Sequence, residues 1–599
     1  MTRRLASLSL CIGLILPASA LAGDVVKDAL SAVPSQAMVV VCVPSLKQLD
    51  ADYQQVVENL GLKMMIPPQW HSLLAGIKQT LPMLSGVDEE GSLAIVIMPA
   101  TNVMELQMKQ AILLPTKDPK GIIEAMMGQA GEGGLWTVTM MGQPAHAAIT
   151  KTGLVLAAFP DVVKAVKDAE ESLHQKLNPV ELKALQGLDV LVWGNAEVLA
   201  GLVKPMWEGM VLPVMMAAQS TGGAFDKVGM ETNKRQVEML LEGASSLGFG
   251  IALDKNGVGL RGLVTVKPGS ELAKQVKLRT TEGSLLQGLP GGDYMLVAGE
   301  LIDPEASKEG IKQLDPFFAL ADGIEEVDQA KVSRLKDIVR EFIPLMTGMR
   351  VAIAGLPPGP EGLLGLTVII DTADAKKLLD LKGQGIDLAK QLASDAAKSE
   401  TADEELQQVI DAIVYNSEAE EIAGVKVGHF KFDLSKIEAV DEDDLEDINK
   451  VIGKDGVLAR IAPADDKTVV VAFGGGKERM AKLLEQAKKK DAPLDDDAGI
   501  KRIAAHIPKE RASVGYLAVD RVIAFIQDVQ RALDEEVLPI QMPAINAPVA
   551  MSMTGGNGWM QGDVFLPTEL LVAGKDAVMT MMGPMMAPPA AVPCQTDCR

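Results

Sequence analysis

Short apolar runs recur along the chain, each handing over to a helix-capping residue and an amphipathic helical stretch. MVVVCVP leads into Ser45 and LKQLDADYQQVVENL, and QAILLPTK leads into Asp118, Pro119 and KGIIEAMM. GLVLAAFP leads into Asp161 and VVKAVKDAEESL, and LDVLVWG leads into Asn195 and AEVLAGLV. Ser, Asp and Asn suit these junctions because their side-chain oxygens accept from the first helical N–H groups, which lack intrahelical partners. GFGIALDKNGVGLRGLVTVKPG then predicts a β-hairpin turning at Asp254–Gly257, followed by Ser270 and ELAKQV.

The same order returns further along. YMLVAGEL runs into Asp303-Pro304, GLLGLTVIID into Thr372, KTVVVAFGGG into KERMAKLLEQAKK, and SVGYLAV into Asp520. VAMSMTGGNGWMQGDVFLP again has a hairpin pattern, followed by Thr568 and ELLVAG. Five matched units in one order predict a tandem duplication. The Gly/Pro-rich LLQGLPGGD sets the boundary near residue 285. The short alternating strands and hairpins predict an α+β fold of two similar tandem halves. The sheets are mostly antiparallel, with helices packed on one face; an α/β parallel sheet is the alternative. The organisation that follows is 1–22 as a signal peptide, 23–285 and 286–578 as α+β repeat domains, and 579–599 as a Met/Pro-rich flexible tail. DEDDLED at 441–447 and DDD at 495–497 read as solvated linkers or loop tips.

The N-terminus carries export features. Arg3 and Arg4 precede an apolar stretch from Leu5 to Pro17, too short to span a bilayer, and Ala20-Leu21-Ala22 is an A-x-A cleavage site. Leu10 precedes Cys11 where a lipoprotein signal needs a small residue. The expectation is therefore an exported protein, periplasmic or extracellular, with no lipid anchor at that cysteine. Cleavage removes two arginines and no acid, taking the net charge from −23 to −25. Such a surface repels nucleic acid and anionic membranes. No later apolar stretch is long enough to predict a membrane span. The 48% apolar content suffices for large cores, while aromatics at 3% argue against a sugar-stacking site.

The openings AVPSQAMVVVCVPSLKQL and ILLPTKDPKGIIEAM resemble a family of uncharacterised exported bacterial proteins, a domain of unknown function. The resemblance covers mainly residues 30–200. It implies an envelope location and brings no site residues.

Several short motifs invite chemistry and lack its remaining parts. Ser333-Arg334-Leu335-Lys336 fits S-x-x-K and Lys151-Thr152-Gly153 fits K-T-G, but their order is inverted and no S-D-N partner lies between them. Gly474–Gly476 precede Lys477, yet Glu478 stands where a P-loop needs Ser or Thr. His71, His146, His174, His429 and His506 are scattered and form no H-E-x-x-H. The acidic run from Asp441 lacks the central Gly of an EF-hand loop. Cys42 lies in an apolar strand and reads as a buried free thiol.

No catalytic residue and no cofactor is nominated. The reading is a non-enzymatic extracytoplasmic protein that binds a protein partner or small ligand between two duplicated domains. An enzyme assembled from distant loops is one alternative. The other is a Cu(I)-binding envelope protein, with Met579, Met581, Met582, Met585, Met586, Cys594 and Cys598 as soft ligands. Export makes a Cys594–Cys598 disulfide the default. If the tail is the copper site, deleting residues 579–599 abolishes stoichiometric Cu(I) binding in a chelator competition titration. Unchanged binding rules the tail out.

Overall fold

The structure, a computed structural model, describes residues 23–586 apart from 81, 141, 212–223, 316–317, 319–327, 397–403, 439, 539 and 541. The segment 1–22 and the two C-terminal cysteines lie outside the described residues.

Each half contributes ten strands. The first half has β1 (Val39–Val43), β2 (Leu93–Ile97), β3 (Gln110–Pro115), β4 (Gln129–Ala130), β5 (Leu135–Met140), β6 (Gln143–Ile149), β7 (Gly153–Ala157), β8 (Val190–Asn195), β9 (Ala244–Asp254) and β10 (Gly257–Val266). The second has β11 (Tyr294–Leu301), β12 (Met346–Gly355), β13 (Leu364–Thr372), β14 (Ile413–Ile422), β15 (Val425–Phe432), β16 (Val457–Asp465), β17 (Thr468–Phe473), β18 (Ser513–Leu517), β19 (Val549–Gly556) and β20 (Trp559–Pro567). The helices that position them are α1 (Gly23–Ser31), α2 (Leu46–Asn59), α3 (Pro119–Ala125), α4 (Pro160–Lys167), α5 (Pro179–Leu185), α6 (Ala196–Met206), α7 (Ala375–Ala396), α8 (Gly476–Lys489), α9 (Ala498–Ala504), α10 (Val519–Ala532) and α11 (Thr568–Met586).

All twenty strands join one antiparallel sheet. Its spatial order is β4-β5-β6-β7-β3-β2-β1-β8-β9-β10, then β20-β19-β18-β11-β12-β13-β17-β16-β15-β14. Read inward from either end, the order is the same, so β1 corresponds to β11 and β10 to β20. The fold is α+β, built from two similar tandem halves. They meet where equivalent strands pair antiparallel, which is the geometry of a twofold relation.

The register assigns every central side chain to a face. One face is buried throughout: Val40, Cys42, Val96, Leu191 and Trp193 in the first half, and Val297, Ala352, Ile369, Val470 and Tyr516 in the second. The two large cores lie here. α1 and α4 supply Leu30 and Val163 to one, and α8 and α9 supply Leu483 and Ile503 to the other.

Helix starts follow the capping chemistry at Ser45, Asp118, Asn195, Ser270 and Asp303, each of which accepts from a first-turn N–H. Four junctions differ. Asp374 rather than Thr372 accepts from Lys377 N–H at the start of α7, and α11 begins at Thr568 itself, whose hydroxyl donates to the Lys255 carbonyl. α4 starts at Pro160, so Asp161 sits inside the first turn and Phe159 is the cap; proline's fixed φ suits that first position. α10 starts before Asp520, whose carboxylate accepts from Ile545 N–H instead.

Two further expectations are corrected. The acidic run at 441–447 is not a linker. Asp441 caps a helix over Glu442–Ile452 and accepts from Asp444 N–H, and carboxylates at a helix N-terminus are stabilised by its dipole. Met579 to Met586 are not a flexible tail, because α11 continues through them. Methionine is a good helix former.

The seam between halves is held by charge as well as by the ladder. Arg261 on β10 lies opposite Asp563 on β20 in the register, with Nε 2.9 Å from Oδ1. Asp563 has no exposed side-chain surface, and Gln561 Nε2 donates to its other oxygen at 2.8 Å. Arg261 also donates to the carbonyls of Ala184 and Gln186, which ties down the end of α5. Removing one member of such a pair leaves an uncompensated buried charge. Arg261→Met should therefore cost about 3–5 kcal/mol in urea unfolding. The double change Arg261→Met with Asp563→Leu should recover most of that loss.

Candidate ligand surface at the seam

The second face of the sheet has the opposite character. Across β1, β8, β9, β10, β20 and β19, the register places on it Val39, Val41 and Val43 of β1; Val190, Val192 and Gly194 of β8; and Leu247, Phe249, Ile251 and Leu253 of β9; the next strand, β18, adds Ser513. Val258, Leu260, Gly262 and Val264 follow from β10, then Met560, Gly562, Val564 and Leu566 from β20. β19 adds Val549, Met551, Met553 and Gly555. Within those six strands no polar side chain interrupts the set. The polar residues of the same strands, among them Ser246, Arg261, Thr265, Ser552, Gln561 and Asp563, all lie on the face buried under helices. Sheets that expose one face ordinarily place their polar side chains there. Here that polarity is reversed.

The apolar face is only partly covered. α3 covers the outer strands of the first half through Ile122 and Ile123, and α7 those of the second through Ala375 and Leu378. Nearer the centre, α6 stands on β1 and β2, where Val198 and Leu199 pack with Val39 and Ile97. Its duplicate is α10, the helix between β18 and β19. A Cβ added at Gly355 would lie 3.6 Å from Phe525 of α10, which places that helix over β12 on the same face. Val519, Val522, Ile523, Ile526 and Val529 recur at helical spacing along α10, yet none of its residues is buried. The helices Ala224–Gly243 and Glu271–Gln275 close part of the centre, where Met239, Leu240 and Leu272 pack with Leu247, Val264 and Met560, and Val549 and Val564 are buried; Ile95 and Phe249 remain 38% exposed and Met551 37%.

Besides one of about 530 Å³ lined by Arg279, Glu300, Arg350, Asp371, Lys467 and Lys490, two cavities among the described residues adjoin the sheet. One of about 510 Å³ lies against the seam on the polar face, lined by Lys183 and Arg261 from the first half and Lys509, Thr554, Trp559 and Gln561 from the second. Arg261 and Gln561 are already engaged on Asp563. The other, about 630 Å³, is lined by Asp52, Asp189 and Asp254 beside Val26, Leu188 and Leu253. Burial pushes the Asp189 carboxyl up to about 7 against the hydrogen bond from Leu253 N–H, and Asp52 and Asp254 add to the rise.

Met579 is 51% exposed on α11; Met581, Met582, Met585 and Met586 follow on the same helix, and Cys594 and Cys598 lie outside the described residues. Among the described residues no group of three or more His, Cys, Asp or Glu could hold a metal. Cys42 is fully buried and free, and burial pushes its thiol up to about 12. The K-T-G is the turn between β6 and β7, whereas Ser333 stands on the Gln329–Phe342 helix of the other half. At the Gly-rich turn, a Cβ on Gly476 would meet Glu361 Oε2 at 2.6 Å, so a carboxylate occupies the phosphate position. Lys477 is paired with Glu420. Burial alone would raise the Glu420 carboxyl, but hydrogen bonds from Lys477, His429 and Arg460 hold it at about 2. His506 stacks on Phe565 with ring centroids 4.1 Å apart.

No family model matches the chain, and no curated protein matches it. Among solved structures, crystal form III of the treponemal protein TP0453 is similar at 10% identity and a TM-score of 0.21, covering 50% of this chain and 100% of that one. Crystal form I is similar at 11% identity and a TM-score of 0.17, covering 50% and 99%. Among the described residues no helix is long and apolar enough to cross a membrane.

The acid cavity gives a signed pH dependence. The native Asp189 holds its proton between 3.8 and about 7, where the unfolded chain has lost it. Its contribution to stability is therefore complete below 3.8 and lost as pH rises through about 7. The difference in urea stability between the native chain and Asp189→Asn should fall steadily across that window. A flat difference would contradict the assignment.

Proposed function

We propose that this chain is a non-enzymatic extracytoplasmic binding protein whose small apolar ligand lies over the seam joining its two duplicated halves. One observation carries the reading: the partly exposed face of β1, β8, β9, β10, β20 and β19 bears no polar side chain, while the polar residues of these strands are buried on the other side. Leaving Phe249 and Met551 more than a third exposed is unfavourable by roughly 25 cal/mol per Å². Contiguous exposed apolar surface of this kind marks binding sites. The floor is sunk between α6 and α10, which favours a small ligand over the flat surface of a protein partner. Export, expected from residues 1–22, supplies the compartment.

The test compares native with denaturing mass spectra of the mature chain, purified from its own envelope. A mass excess confined to the native spectrum is expected. It should vanish in Phe249→Lys, which puts a charge on the exposed floor, and persist in Phe159→Lys, a similarly exposed position away from it. No excess in the native chain, or an excess indifferent to Phe249→Lys, contradicts the proposal. An excess of polypeptide mass would assign the surface to a protein partner instead.

A further inference from the structure

We infer that the second half holds a separate polar site for a small, multiply charged oxyanion, at the end of strands β11, β12, β13 and β17 on the helix-covered face. The cavity there measures about 530 Å³, within the range of small-molecule sites. Arg350, Asp371 and Thr468 belong to its floor, because the register sets them on the face of Ala352, Ile369 and Val470. Residues from the segment 279–287, which joins the halves, form another wall, and Lys490 lines it from the end of α8. Only Leu285 and Leu301 bring apolar side chains to the lining. The site thus lies across the sheet from the apolar floor, and its chemistry is the reverse.

Charge selects the ligand. Arg279, Arg350, Lys467 and Lys490 line the cavity against two acids, Glu300 and Asp371. Asp371 is neutralised by Arg350, which also donates to the Gln287 carbonyl. The pleat turns the Glu300 side chain to the opposite face, beside Met349. Among the described residues no carboxylate pairs with Arg279, Lys467 or Lys490, although Asp466 and Asp491 adjoin two of them in sequence. Three unpaired cations around one cavity stand out in a chain of 57 basic and 80 acidic residues, where the adjacent Lys489 pairs with Glu485. Clustered cations without partners raise the local potential and favour an anion. Thr347 and Thr468 add hydroxyls that can donate to its oxygens. A hydrocarbon chain finds little apolar lining here, and a singly charged anion leaves cations unmatched.

The fold does not require these charges. The first half builds the same ladder without them. Aligning the halves on the matching pairs Val40–Val96 and Val297–Ala352 places Ala94, Pro115 and Thr152 where Arg350, Asp371 and Lys467 stand. Lys490 has a φ of +57°, the left-handed conformation that glycine adopts at least cost after a helix. Lys488 and Lys489 already meet the negative end of α8. The lysines at 467 and 490 therefore answer to something other than strand pairing or helix capping.

The experiment titrates the mature chain by calorimetry with inorganic pyrophosphate, citrate and acetate at low ionic strength. Pyrophosphate or citrate should bind one to one and acetate at least tenfold more weakly, and added sodium chloride should weaken the binding. Lys467→Thr with Lys490→Gly should lower polyanion affinity at least tenfold without lowering the urea midpoint. Threonine is the first half's residue at that position and glycine suits the φ of 490, so this pair keeps the fold. Lys47→Gln with Lys501→Gln removes the same charge from exposed ion pairs elsewhere and should leave binding within about twofold. Whichever polyanion binds tighter assigns phosphoryl or carboxylate oxygens as the source. No saturable heat from either polyanion, equal binding of acetate, or an equal loss in the Lys47 and Lys501 pair overturns the inference. None of these outcomes bears on the apolar-ligand reading, whose residues are unchanged throughout.

Discussion

The antiparallel pairing of β10 with β20 is the constraint on which the rest of the structure depends. Each half ends its ten-strand order on that strand, so each would otherwise present an unpaired edge open to association. Pairing equivalent strands closes both edges at once. Arg261 and Asp563 then fix the register, because a slip of one residue would put the two charges on opposite faces of the sheet. A buried pair adds little net stability compared with an apolar one, but misplacing it is costly. Its contribution is to specify one alignment of the two halves.

That alignment explains why polarity is distributed as it is. On the helix-covered side of the seam, Arg261, Gln561 and Asp563 satisfy one another and the carbonyls at the end of α5. On the other side the same strands carry valine, leucine, methionine and glycine. The walls α6 and α10 follow from the same relation: both are the helix between the eighth and ninth strands of their half. α10 has an apolar stripe that is only partly buried, with Ile526 39% exposed.

Much of the fold could be read from the sequence because its signals are local. The five matched units correspond to β1 with β11, β3 with β13, β7 with β17, β8 with β18, and the β9–β10 hairpin with β19–β20. Capping at Ser45, Asn195 and Asp303 follows from side chains adjacent in the chain. The strands between units were missed where their patterns are weak: β6, QPAHAAI, contains proline and histidine, and β14 is mostly polar at its centre. The seam itself pairs residues about three hundred positions apart, and no local pattern encodes which edge meets which. The candidate surface was hidden for a related reason. Alternation in GVGLRGLVTV shows that two faces differ, but the burial of Arg261 rather than Leu260 is decided by the partner strand. The methionine content was visible; its gathering on the floor at Met551, Met553 and Met560 was not.

The most direct measurement places a photoreactive p-benzoylphenylalanine at position 249 of the exported chain and irradiates it in its own envelope. If the floor over the seam is a ligand site, intact mass analysis will show a covalent small-molecule adduct mapped to β9. Cross-links only to polypeptide, or no adduct beyond hydration, would contradict the account.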